Sequence, residues 1–230
     1  MQMRTPVANA PRASSPETQA PLRAPSRTHD LIGSIELMGA AMSFSRNGEI
    51  YGEGEPADYL YKVVSGAVRT YKILSDGRRQ IGAFYLPGDI FGLELSDEHH
   101  FSAEAISDST ILVVKRSALI ALAARDPDVA HQLWTFTAQT LDRVQSHMLL
   151  LVQSARERVA SFLLEMGERL RATDAMELPM SRQDIADYLG LTIETVSRTL
   201  TMLETKAAIA LPTSRRIVVR NRAALRRLNS

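Results

Sequence analysis

Three polar side chains near the end of the chain have the types and spacing needed to contact nucleic-acid bases. Glu194 and Arg198 are four residues apart and share one face of a predicted helix, with Ile193 and Ser197 beside them. A guanidinium matches the O6 and N7 acceptors of guanine, and a carboxylate accepts from the N4 amine of cytosine. The set suits G·C pairs; the alternative is a surface ion pair worth about 0.3 to 0.5 kcal/mol.

Two short helices must position these side chains. Ser181 followed by Asp184 is a capping box and predicts a helix over 182–189. Gly190 predicts the tight turn that ends it, and Thr192 repeats the capping pattern before a second helix that runs to 204. Two capped helices joined by a tight glycine turn are typical of a helix-turn-helix.

Further donors at the helix starts and in a following hairpin are candidates for phosphate contacts. Helix N-termini offer backbone N–H groups and hydroxyls to phosphate oxygens. Residues 209–211 and 216–219 predict a β-hairpin wing with two arginines at its tip. The predicted phosphate-contacting residues are Arg182, Gln183, Thr192, Thr195, Arg215 and Arg216.

Charge and composition support a polyanionic partner and exclude several kinds of chemistry. The 230 residues carry a net charge of +1, but from Lys206 onward there are seven basic side chains and no acidic one. The absence of cysteine excludes thiolate catalysis, disulfides and cysteine-held metal centres. No nucleophile and base pair or phosphate-cradling glycine loop is present, so we predict that the protein is not an enzyme.

The chain divides into four predicted segments. Residues 1–29 hold five of the ten prolines and predict a disordered tail, with an organelle transit peptide as the alternative. Residues 30–125 are the predicted sensor-like domain, in which short apolar strands alternate with turn glycines over 44–116; this predicts an antiparallel barrel or sandwich. Residues 126–153 form a long helix, and residues 154–230 hold the helix-turn-helix. Neither a secretory nor a membrane-spanning segment is apparent, so we expect a cytoplasmic protein with no membrane partner.

The long helix carries an approximate heptad pattern of apolar residues. About 25 residues with a narrow stripe suit a two-fold dimer interface. The alternative is an amphipathic helix whose stripe faces its own core. The predicted interface residues are Leu133, Phe136, Thr140, Val144, Met148 and Leu151.

The motifs resemble one family closely. The run from Ser181 to Arg198, SRQDIADYLGLTIETVSR, resembles the helix-turn-helix of the CRP/FNR superfamily of bacterial transcription regulators. The pattern Glu194-x-x-Ser197-Arg198 is similar to its FNR and FixK branches, and the run LPGDIFG over 86–92 is similar to its sensor domain.

The resemblance implies an α+β fold: an N-terminal antiparallel β-barrel (a cyclic-nucleotide-binding-like jelly roll), a long dimerisation helix and a C-terminal winged helix-turn-helix. It also implies a homodimer that binds a TTG…CAA-like palindrome, with the base contacts made by Glu194, Ser197 and Arg198. Such a dimer recruits RNA polymerase as an activator. In the FixK branch the genes served concern low-oxygen respiration and nitrogen metabolism, including nitrogen fixation.

The sensor segment departs from cyclic-nucleotide-binding relatives. Their cassette pairs an arginine with the cyclic phosphate, whereas here Phe91-Gly92-Leu93-Glu94 is followed by no Arg or Lys up to residue 105. We therefore predict no cyclic nucleotide, and, as in the FixK branch, activity without a cofactor or metal. Candidate haem ligands are His99, His100, His131 and His147, but His99-His100 is better interpreted as a polar loop. The alternative is a barrel that binds an unidentified small effector.

Two further positions have predicted roles outside DNA reading. Ser181 is a possible redox-control position: if the natural residue were a cysteine, a helix N-terminus and Arg182 would stabilise its thiolate. The turn from Asp76 to Arg79 is a candidate surface for RNA polymerase or an ordinary exposed turn.

Overall fold

Short strands between residues 40 and 115 form two antiparallel sheets. The computed structural model describes residues 31–228, so the predicted tail over 1–29 lies outside the described residues. One sheet has the order β1-β8-β3-β6 and the other β2-β7-β4-β5. The strands are β1 Ala40–Phe44, β2 Glu49–Tyr51, β3 Tyr59–Ser65, β4 Val68–Ile73, β5 Arg79–Tyr85, β6 Ile90–Phe91, β7 Ser102–Ala105 and β8 Ser109–Lys115.

The sheets enclose an aromatic and aliphatic core. Tyr51, Tyr61 and Phe91 contact one another there, with ring centroids 5.1 to 6.2 Å apart. Gly66, at the turn between β3 and β4, has φ of 82°, and a Cβ at this position would collide with Ser109 and the backbone of Asp108. Only glycine therefore fits this turn. The predicted antiparallel, jelly-roll-like α+β class is confirmed.

Three helices pack together beside β8. Helix α1 spans Leu31–Met38, α2 spans Arg116–Ala123 and α3 spans Pro127–Leu151. Asp126 caps α3 because its Oδ1 accepts from the backbone N–H groups of Asp128 and Val129, and Pro127 occupies the first turn, where no N–H is needed. No helix within residues 31–228 combines the length and the apolar character needed to cross a bilayer.

Helix α3 has two apolar faces, which changes the meaning of its heptad pattern. Leu133 and Phe136 pack, half-buried, against the chain's own cluster around Leu31, Leu60 and Val129. At these two positions the predicted interface residues therefore lie on the face of α3 that packs against its own chain. The heptad pattern did not distinguish this face from the exposed one, because apolar residues recur with the same period on both. The outer stripe, which we name the α3 stripe, has 4-3-4-3-4 spacing, the period of a coiled coil. It consists of Trp134, Ala138, Leu141, Gln145, Met148 and Val152, all exposed.

The remaining elements form the C-terminal unit. Helix α4 (Ala155–Arg169) begins at a capping box between Ser154 and Glu157. Strands β9 (Ala175–Glu177), β10 (Ile209–Ala210) and β11 (Arg216–Val219) form an antiparallel sheet in the order β10-β11-β9. Helices α5 (Arg182–Leu189), α6 (Ile193–Thr205) and α7 (Arg222–Arg226) pack beside it around a continuous apolar core.

Candidate nucleic-acid interface

Local hydrogen bonds fix the start of α5 as the sequence predicts. The Ser181 Oγ accepts from the Asp184 N–H at 3.1 Å, and the Asp184 Oδ2 accepts in return from the Ser181 N–H at 2.9 Å. Gly190 ends α5 in the left-handed conformation, with φ of 62°. Both the capping box and the glycine turn are thus confirmed.

The start of α6 is held in the same way. The Thr192 Oγ1 accepts from the backbone N–H of Thr195 at 3.2 Å. Arg158 on α4 secures the turn between the helices, because its Nη1 donates to the carbonyl oxygen of Leu189 at 2.8 Å. Sequence reasoning did not identify this role of Arg158, since the two residues are 31 positions apart and no local pattern joins them.

The predicted base-reading residues lie on the outer face of α6. Glu194 and Arg198 are exposed, Ile193 is 36% exposed and Ser197 is half-buried. No ion pair joins Glu194 to Arg198 within the part of the chain described; the Arg198 Nε instead donates a long bond of 3.4 Å to the Glu194 carbonyl oxygen. Both charged ends are therefore available to an external partner.

Glu194 is held in its ionised form. Its pKa lies below the ordinary value, chiefly because its carboxylate accepts from its own backbone N–H and from the Thr192 hydroxyl, with a smaller attraction from Arg198. An ionised carboxylate at this position is an acceptor only, which fits an amine donor such as the N4 group of cytosine.

The predicted phosphate contacts are brought to the rim of this face. Gln183 and Thr192 are exposed at the starts of α5 and α6, and Thr195 is half-buried. The Arg182 Nη1 donates to the Ser197 Oγ at 3.4 Å, so a predicted phosphate-contacting side chain touches a predicted base-reading one. The Arg182 Nε is buried and makes no hydrogen bond in the described part of the chain.

The wing differs in detail from the predicted tip. Thr213 closes the loop between β10 and β11 by accepting from the N–H groups of Arg215 and Arg216. Arg215 is half-buried, whereas Arg216 is exposed, begins β11 and lies opposite Glu177 in the strand register. Both arginines thus lie at the end of the hairpin, with Arg216 the more accessible.

Three other expectations look different in the structure. His99 and His100 lie in an irregular segment, where His100 is exposed but His99 is 2% exposed and stacks on Tyr51 with ring centroids 3.6 Å apart. Arg79 is not a free turn residue, because its guanidinium contacts Asp184 and Asp187 on α5. At Ser181 the Oγ donates to Asp184 at 2.8 Å, and this neighbouring carboxylate would oppose the helix N-terminus in stabilising a thiolate.

Known proteins resemble the chain over most of its length. Residues 157–228 match the family described as Crp-like helix-turn-helix domain, and residues 41–126 match the cyclic nucleotide-binding domain. A "Nitrogen fixation regulation protein FixK" of Azorhizobium caulinodans is 52% identical over 85% of this chain and 82% of its own. A "Transcriptional activatory protein AadR" of Rhodopseudomonas palustris is 41% identical over 77% and 76%. The structure of FixK2 from Bradyrhizobium japonicum is 54% identical, with a TM-score of 0.81 over 84% of this chain and 98% of that one.

Proposed function

We propose, since this chain belongs to the CRP/FNR family of transcription regulators, that it binds a palindromic DNA site as a homodimer and activates transcription there. Its relatives are regulators, and, as predicted, the protein is not an enzyme. The name of the 52% identical relative supports a role in regulating nitrogen fixation.

The open polar face of α6 carries the proposal. Glu194 and Arg198 are exposed and not paired with each other. Glu194 lines one groove with Gln183, Thr192 and Thr195 from the starts of α5 and α6. We infer that Glu194, Ser197 and Arg198 contact bases, with Ile193 beside them, while the six predicted rim residues contact phosphates. A TTG…CAA-like palindrome contains one G·C pair in each half-site, which suits this donor and acceptor set.

The α3 stripe supports the homodimer. Trp134, Leu141 and Met148 are 73%, 55% and 63% exposed. Large apolar side chains that are exposed side by side on a soluble protein typically mark an interaction surface. We expect a second copy to pack on this face about a two-fold axis, with the two α3 helices parallel or antiparallel. The two halves of a palindrome are related by the same kind of axis. We propose that the predicted partner residues Val144, Met148 and Leu151 lie at this interface or on its flank.

Activity without a bound cofactor is proposed from the lining of the barrel cavity. A cavity of ≈ 390 Å³ lies between β4, β5, β6 and α3. Among the described residues that line it, Glu94 supplies a carboxylate and no Lys or Arg faces it. An anionic phosphate would be desolvated here beside a like charge, which is unfavourable.

An effector-gated regulator is the second candidate, and the same cavity favours it. Tyr85, Phe91, Phe101 and Phe136 give the cavity aromatic walls, and it is large enough for a small ligand. Thermal melting with and without cell extract separates the two candidates, because a ligand at 100 times its dissociation constant adds about 2.7 kcal/mol of apparent stability. A micromolar affinity for cAMP or cGMP by calorimetry would contradict both the lining argument and cofactor-free activity.

Selection from random duplex DNA by the purified, cofactor-free protein tests the main proposal. We expect an enriched palindrome with half-sites about one helical turn apart. Arg198→Ala is the matched variant and should lose the preference at one base pair in each half-site. Enrichment of no sequence, or of an asymmetric one, would refute the proposal. Recruitment of RNA polymerase is tested separately, by transcription in vitro from a promoter carrying that palindrome. We expect the protein to act in the cytoplasm, where such promoters are.

A further inference from the structure

One buried carboxylate joins the helix-turn-helix to the barrel. Asp184, at the third position of α5, has a side chain that is 6% exposed. Its Oδ2 accepts from the Ser181 N–H and Oγ and so caps the helix. Its Oδ1 accepts from the Arg69 Nη1 on β4 at 2.8 Å and from the Arg79 Nη2 on β5 at 2.7 Å.

A second carboxylate one turn later completes the contact. The Asp187 Oδ2 accepts from the Arg79 Nε at 2.7 Å, so that Arg79 bridges both acids of α5. Arg69 is 9% exposed at its side chain and also pairs with Glu104 on β7, which fixes it within its own sheet. Charge-assisted hydrogen bonds in such protected positions are short and directional. We name these four residues, Arg69, Arg79, Asp184 and Asp187, the barrel–α5 clamp.

We propose that Arg79 and Arg69 are positioning residues for DNA recognition, because the barrel–α5 clamp sets the orientation of the helix-turn-helix relative to the barrel. The inference deepens the proposed function and rests on it. Helix α6 packs on α5. Helix α3 packs on the barrel through Leu133 and Phe136, and its stripe is the proposed contact with the partner subunit. Fixing α5 on the barrel therefore fixes the separation of the two reading helices in the dimer.

The orientation held by the clamp leaves the reading face open. Glu194 and Arg198 are exposed while the clamp is closed. An assembly whose reading helices already stand at the separation of two half-sites loses less conformational freedom when it binds. The clamp should therefore favour specific binding, and it should make binding depend on the spacing of the half-sites.

The neighbouring arginine provides a matched control. Arg78 precedes Arg79 and carries the same charge, but its side chain is 77% exposed and pairs with Asp76 in its own turn. Any effect of total charge or of the hairpin itself should appear equally in Arg78→Gln and Arg79→Gln. An effect of the clamp should appear only in Arg79→Gln.

The experiment compares palindromes of different spacing. Fluorescence anisotropy measures the Kd of the unaltered protein, Arg79→Gln, Arg79→Lys and Arg78→Gln on the selected palindrome and on versions with one base pair added to or removed from its centre. We expect Arg79→Gln to bind the selected spacing at least about tenfold more weakly and to discriminate less between spacings. Arg79→Lys keeps the charge and should recover part of the affinity, and Arg78→Gln should match the unaltered protein.

A merely structural role for Arg79 predicts a different pattern. Loss of folded protein would lower the active fraction on every duplex equally and leave the ratio of Kd values between spacings unchanged. That result, or tighter binding by Arg79→Gln, would overturn the inference alone. Should Arg79→Gln fail to fold, Asp187→Asn opens the outer half of the clamp, and the same shift in spacing preference is expected. Failure of the unaltered protein to bind any palindrome would overturn the proposed function and this inference together.

Discussion

Replacing Leu141 and Met148 by alanine on the α3 stripe should separate the dimer. Leu141 is 55% exposed and Met148 is 63% exposed in the single chain, so a partner would bury what remains. Each buried CH₂-sized group contributes about 0.8 kcal/mol, and either substitution removes three such groups. Scaled by the exposed fractions, the loss is about 1.3 kcal/mol per copy at Leu141 and about 1.5 kcal/mol at Met148.

Each substitution is present in both subunits of a two-fold symmetric dimer, so its effect on the association free energy is doubled. The double variant should therefore lose about 5 to 6 kcal/mol of association free energy, which raises the dimer Kd about 10⁴-fold. Alanine is a better helix former than either residue, so the helix itself should not weaken. Sedimentation equilibrium over a range of concentrations measures the Kd, and far-ultraviolet circular dichroism verifies that the variant is folded.

Val144→Ala is the control that distinguishes the two faces of α3 that could form the interface. Val144 is 52% exposed and belongs to the interface that the heptad pattern predicts, but it lies on the flank of the α3 stripe. If it lay at the centre of the interface, its truncation would cost about 1.7 kcal/mol per dimer. We expect less than about 0.5 kcal/mol, as for other surface substitutions. If the doubly substituted protein kept the dimer Kd of the unaltered protein, or if Val144→Ala raised the Kd more than the double substitution does, the α3 stripe would not be the dimer interface.

Three further substitutions test the reading face and its support. Arg198→Ala should weaken binding to the selected palindrome by about 1 to 3 kcal/mol and relax base preference, as measured by gel shift; equal losses on all sequences would contradict a base contact. Arg215→Ala should weaken all duplexes alike and reduce the salt slope by about one unit; a sequence-selective loss would contradict a phosphate contact. Burial lowers the pKa of His147, which stacks on Tyr188, so stability should be full above its unfolded pKa of about 6.5 and fall as pH decreases. His147→Phe keeps the stacking and should flatten the fall in Tm between about pH 7 and pH 5.5; an unchanged slope by calorimetry would exclude His147 as its cause.

Local patterns predicted the helix-turn-helix well because its determinants are local. The capping box from Ser181 to Asp184 spans four residues, and Gly190 adopts the left-handed conformation that ends α5. The apolar runs that became β3, β4, β5 and β8 were also readable, since turn residues separate them. In contrast, β1 was not predicted: four of its five residues are exposed, so the strand has no alternating pattern.

Long-range pairing is what the sequence could not supply. Asp184 and Arg69 are 115 positions apart, and nothing near either residue indicates a charged partner. On α3 the apolar residues of two faces recur with the same period. The prediction of Leu133 and Phe136 as interface residues therefore selected the face that already packs against the barrel. The burial of His99 likewise depends on Tyr51, which lies on β2, 48 positions earlier in the chain.

The double duty of Asp184 restricts how this protein can exchange parts with its relatives. A C-terminal unit moved onto another barrel would keep its helix cap but carry a buried carboxylate whose two arginine partners stayed behind. An uncompensated buried charge is strongly unfavourable, so such a chimaera should need a matching pair of basic residues on the recipient's β4 and β5 strands. Recombination between family members should therefore succeed more often where β4, β5 and α5 are inherited together than where a crossover falls between them.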